Sequence, residues 1–126
     1  MTMFHAVAFI NHQSAQIIQF GTEHSEEHTV LQHKHVTRQH GSQVRSEHEF
    51  FDEVCNALDG ITEIMVTGGH TGIKDFKHYV AKHRPAMAPR ISAYEVVGHP
   101  TKGELVALAR KFFTKFDAMV GTPVPN

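Results

Sequence analysis

A chain of 126 residues with 40% hydrophobic and 20% charged side chains can bury one core of its own without a metal or disulfide staple. Its net charge of -1 is not that of a generic nucleic-acid-binding domain, which is clearly basic, and no apolar run approaches the ~20 residues of a membrane span. The single cysteine, Cys55, cannot form an internal disulfide and points to a reducing, cytoplasmic setting.

Met1 to Ile10 has no basic n-region and passes straight into an alternating pattern, so it reads as a strand and not as a signal peptide. Phe4, Ala6, Ala8 and Ile10 fall on one face, Val7 and Phe9 on the other. Two apolar faces predict a central strand covered on both sides. Asn11-His12-Gln13-Ser14 is a short polar turn, and Ala15 to Phe20 continues as the second arm of a hairpin. Gly21 to Glu27 reads as a polar, acidic turn. The third run, Thr29 to Val36, sets Thr29, Leu31, His33 and His35 against Val30, Gln32, Lys34 and Val36, and its polarity predicts an outer strand.

Thr37 to Arg45 has no hydrophobic period and reads as a mobile connection. Ser46 with Glu49 has capping-box spacing, and Phe50, Phe51, Val54, Cys55 and Leu58 follow as a helical stripe that Asp59-Gly60 stops. Ile61 to Thr67 reads as a short buried strand. Gly68-Gly69-His70-Thr71 turns into a second helix with Ile73, Phe76 and Val80 inward. Ile91 to Val97 is the last strand. Pro100 and the Thr101/Glu104 capping box begin a long helix with Leu105, Leu108, Ala109, Phe112 and Phe116 inward, followed by an extended tail from about 119. No repeat and no second domain is visible, so residues 1–126 are expected to form one domain.

The order βββαβαβα predicts an α/β fold: an antiparallel meander joined to two parallel strands in one mixed sheet, with helices on its faces through right-handed crossovers. That is the ribonuclease-H-like layout. Its usual chemistry, two-metal phosphodiester cleavage, needs carboxylates on the central strands. No Asp or Glu occurs before Glu23, Asn11 ends the first strand, and the fourth offers only Glu63. A nuclease mechanism lacks its ligands, and so does an actin-like ATPase.

Other features carry weaker chemistry. Residues 1–63 hold nine acids and three bases, residues 64–126 four acids and nine bases, leaving -6 and +5, a division that suits either orientation against a polyanion or plain solvated faces. Eight of the twelve histidines precede residue 50. His33 and His35 on one strand face would stand about 6 to 7 Å apart, a spacing open to zinc, while exposed outer-strand histidines need no metal. Such a cluster would also titrate near pH 6, giving a metal- or pH-responsive interaction module as an alternative function. The Gly68-Gly69-His70-Thr71-Gly72 turn opens a helix and could hold an anion, but matches no nucleotide fingerprint, and tight strand-to-helix geometry explains it equally well. Cys55 on the apolar stripe reads as a small hydrophobe.

As a whole the chain resembles the middle domain of the eukaryotic and archaeal class one peptide-chain release factor, of Pelota, and of the small bacterial translational machinery proteins. The resemblance rests on Phe4 to Phe20, His40-Gly41-Ser42-Gln43 before a helix, Ile64-Met65-Val66-Thr67-Gly68-Gly69, and His99-Pro100-Thr101 before the last helix. In release factors the corresponding loop carries Gly-Gly-Gln, which positions water against the peptidyl-tRNA ester. Here Gly41 and Gln43 match and Ser42 replaces the second glycine, which restricts the backbone. The resemblance implies a non-enzymatic translation-associated factor with no cofactor, and Arg38, His40, Gly41, Ser42, Gln43 and Arg45 contacting ribosomal RNA or tRNA. A small homo-oligomer that pairs through its outer strand or helix faces is a further alternative. A peptidyl-tRNA hydrolase with Gln43 as its catalytic residue is the lesser alternative.

Overall fold

The computed structural model describes residues 4–11, 14–20, 25–31 and 42–120. β1 (His5–Ile10) is central, as its two apolar faces require. Ala6, Ala8 and Ile10 enter one core, and Val7 enters the other. β2 (Ser14–Phe20) returns antiparallel to it, with Val7 opposite Ile18 and Ile10 opposite Ala15. The Asn11 side chain stabilises the turn between them, its Oδ1 accepting from the Ser14 amide at 2.8 Å.

β3 spans Ser25–Leu31, four residues ahead of the expected Thr29 to Val36, so Ser25 to Glu27 belong to a strand and not to a turn. Its register, Phe20 opposite Ser25 and Ser14 opposite Leu31, gives β2 a partner along its whole length. As an edge strand it needs few apolar residues, so its polar start left no alternation to read. One cross-strand contact holds that polar stretch: the Gln16 amide donates to Glu27 Oε2 at 2.5 Å. His33 and His35 lie outside the described residues.

α1 runs Ser42–Ala57 and therefore starts before Ser46. The Ser46/Glu49 pair lies inside the helix and is not its cap. No glycine or proline stands between Gly41 and Gly60, and Gln43, Arg45 and Glu47 are good helix formers, so nothing confines the helix to the apolar stripe. The stripe itself is buried as expected, from Phe50 and Phe51 through Val54 and Cys55 to Leu58. Gly60, at φ +82°, then occupies the left-handed conformation that ends many helices.

β4 (Glu63–Gly68) lies parallel to β1, and α2 (His70–His83) leads through a single 3-10 turn at Ala88–Arg90 to β5 (Ile91–Val96), parallel to β4. The strand order is β3-β2-β1-β4-β5. This is a ribonuclease-H-like α/β fold, with a meander on one side of β1 and the parallel strands on the other. α1 and α2 cover one face, where Phe76, Leu58, Ile64 and Val66 are fully buried. α3 (Lys102–Val120) covers the other, through Leu105, Ala109 and Phe113. Phe113 replaces the expected Phe112 and Phe116 as the deepest aromatic, because it continues the four-residue spacing of Leu105 and Ala109; Leu108, Phe112 and Phe116 are half-buried on the flank.

The Thr101/Glu104 capping box forms as its spacing predicts. The Glu104 amide donates to Thr101 Oγ1 at 3.1 Å and the Thr101 amide donates to Glu104 Oε1 at 2.9 Å. Hydrogen bonds to the carboxylate from the Thr101 amide first, and the Thr101 hydroxyl second, lower the Glu104 pKa below its ordinary value. Thr101→Ala is expected to cost about 1 kcal/mol in urea unfolding. The variant keeps the amide bond to the carboxylate and loses only the hydroxyl's; that smaller share is present above the unfolded Glu pKa and is lost as pH falls through the lower folded value, so the gap between wild type and variant should narrow slightly in acid.

Candidate functional site

The structure divides the residues singled out by sequence among separate places. Ser42, Gln43 and Arg45 lie in the first turn of α1, in helical backbone. Arg38, His40 and Gly41 lie outside the described residues.

At the carboxyl ends of β1 and β4 the chain makes the crevice where open α/β sheets usually take ligands. Asn11, His70, Thr71 and His99 line a cleft of about 260 Å³ there. Gly69 caps α2 with no side-chain hydrogen bond. The glycine turn is explained first by packing: Gly68 lies directly against the Ile10 carbonyl, and the Val97 amide donates to the Gly68 carbonyl at 2.9 Å. Among the described residues, the carboxyl ends of β1 and β4 carry neither Asp nor Glu. Thr67 stands there instead, with its hydroxyl donating to the Ala8 carbonyl at 2.8 Å.

The one carboxylate on β4 sits at its opposite end. Glu63 is buried and pairs with the buried His5, Nε2 to Oε1 at 3.0 Å. The His5 ring stacks on Phe113 of α3 with centroids 4.2 Å apart. This arrangement fastens a helix to the sheet, since both polar groups are covered and face each other. Nothing in the sequence pattern links residues 58 positions apart; the β1–β4 register, which sets His5 against Glu63, does.

A third group lies between α1 and α2. Asp52 accepts hydrogen bonds from Arg84 and, at 3.3 Å, from the Tyr79 hydroxyl, while Arg84 also donates to Asn56 at 2.8 Å. Burial first, and Asp52 second, push the Tyr79 phenol up, so it stays a neutral donor. His48 and His83 lean on the Tyr79 ring, with centroids 5.4 and 4.8 Å away. Sequence reading passed over this group because its members come from two helices. The local signs were four-residue spacings, His48, Asp52 and Asn56 on α1 and Tyr79 and His83 on α2.

Cys55 is fully buried, and burial pushes its thiol up to about 11 against the smaller opposing effect of Arg84. It is a packing residue without nucleophilic character. Among the described residues no three His, Cys, Asp or Glu side chains are arranged to hold a metal ion, and no helix is long and apolar enough to cross a membrane.

No family model matches the chain, and no curated protein matches it. Solved structures do. Pelota from Archaeoglobus fulgidus aligns with a TM-score of 0.64 at 19% identity, over 95% of this chain and 35% of that one. The chain shares its fold with part of Pelota. Pelota from Thermoplasma acidophilum gives 0.58 at 18% identity, over 93% of this chain and 34% of that one. The archaeal translation termination factor aRF1 gives 0.55 at 10% identity, over 93% and 41%. The chain thus spans between a third and about two fifths of these proteins, and at such identities the likeness is one of fold.

Proposed function

We propose that the chain is a translation-associated factor that engages the ribosome without catalysing a reaction, as a cytoplasmic member of the bacterial translational machinery proteins. The observation that carries this reading is the fold itself, shared over more than nine tenths of the chain with Pelota and with a translation termination factor. Contact is assigned to Arg38, His40, Gly41, Ser42, Gln43 and Arg45, whose basic side chains suit RNA phosphates. The helical backbone at Ser42 and Gln43 favours a binding role over hydrolysis, because a glutamine in the first turn of a helix is not held at the tip of an open loop.

Co-sedimentation with purified ribosomes at moderate salt tests this. The protein is expected in the ribosomal pellet, released as salt rises, with Arg38→Ala and Arg45→Ala each weakening association. Full recovery in the supernatant, with no rRNA or tRNA in crosslinks, would refute it. The hydrolase alternative requires release of peptide from peptidyl-tRNA on ribosomes and its loss in Gln43→Ala; a wild-type protein without that release ends it.

A further inference from the structure

We propose that His48 of α1 and His83 of α2 form a transition-metal site that clips the two helices together, taking zinc, nickel or copper. The imidazoles come from different helices and face each other with ring centroids 5.2 Å apart and planes inclined at 58°. Two imidazoles sharing one tetrahedral zinc at about 2.0 to 2.1 Å from each nitrogen hold their ring centres at about 5 Å. The observed centroid separation matches that distance.

Three further features favour a cation at this place. First, neither imidazole makes a hydrogen bond or ion pair among the described residues; their contacts are with each other and with Tyr79. Second, both residues are exposed and open on a cleft of about 140 Å³ between the helices, so ion and water have access. Third, the carboxylates of Glu47 and Asp75 line the same cleft, beside Lys82 and His78. Tyr79, which lies against both rings, is held by its hydrogen bond to Asp52 and serves as a fixed platform.

Among the described residues no third protein ligand stands within reach as the side chains lie, so water completes the coordination shell. Two imidazoles and water suit zinc, nickel and copper and not the harder magnesium or calcium. The ion would join α1, which begins at the candidate ribosome-contact residues, to α2. The site does not depend on the proposed ribosomal function.

The test is titration of the metal-free full-length chain with zinc and, separately, nickel at pH 7.5, followed by calorimetry and thermal unfolding. One equivalent is expected to bind to this site and raise the unfolding midpoint. His48→Ala and His83→Ala should each lower that affinity about tenfold or more, with folding intact because both side chains are exposed. Substituting His33 and His35 by Ala should leave it unchanged. Copper bound to the wild type should show two imidazole nitrogens by electron paramagnetic resonance. Unchanged affinity in His48→Ala or His83→Ala, or loss of binding only in the His33/His35 variant, would overturn the assignment. Absence of any stoichiometric binding would do the same.

Discussion

Gly68→Ala is expected to destabilise the protein by roughly 3 to 5 kcal/mol, adding the strain of an unfavourable backbone conformation to that of an overpacked core. Gly68 ends β4, pairs with Ile10 of β1 and holds φ at +152°. A Cβ built there presses into the Ile10 carbonyl oxygen, and that oxygen belongs to the backbone of a central strand with layers of helix on both sides. The obstacle is therefore not a side chain that can rotate away. For a domain whose whole stability is about 5 to 15 kcal/mol, a loss of this size is a large fraction of the total. Gly69→Ala is the control. The neighbouring Cβ meets nothing within 4 Å and φ there is -74°, so its effect should stay within about 1 kcal/mol, the range of a changed helix cap. Urea unfolding of both variants measures the difference directly. Equal midpoints would remove the close approach of β1 and β4 as the reason for this glycine.

What the sequence made legible follows how each element is held. β1 announced its central place because a strand covered on both sides must be apolar on both, and α3 announced its start because Thr101 and Glu104 make a reciprocal local pair. β3 was misplaced by four residues because its position is dictated by pairing with β2, and an edge strand carries little hydrophobic signal of its own. α1 began earlier than its apolar stripe for a related reason: helix propensity extends into polar sequence where burial does not. The candidate contact residues were found through resemblance, and the backbone of only three of them, Ser42, Gln43 and Arg45, falls among the described residues. The His48–His83 group and the His5–Glu63 pair were invisible, since each is assembled by tertiary contact between distant segments.

The second large effect concerns that buried pair. His5→Phe is expected to cost about 3 to 5 kcal/mol at pH 7, because it leaves Glu63 buried without its imidazole partner. A buried carboxyl that loses this partner is less well stabilised when charged, and protonating a group of ordinary pKa ~4.3 at pH 7 would cost about 3.7 kcal/mol, which bounds the electrostatic part of the effect. Glu63→Leu should cost less, about 1 to 3 kcal/mol, because an imidazole, unlike a carboxylate, carries no obligatory charge at that pH and loses chiefly a hydrogen bond. The double variant should recover much of the loss, since an apolar pair of similar volume often replaces a buried ion pair without penalty, and the introduced ring can keep the stacking on Phe113. Urea unfolding of wild type, both single variants and the double variant at pH 7, arranged as a double-mutant cycle, measures the coupling. If the double variant costs the full sum of the singles, the pair is two independent packing residues and not a coupled polar fastening of α3 to the sheet.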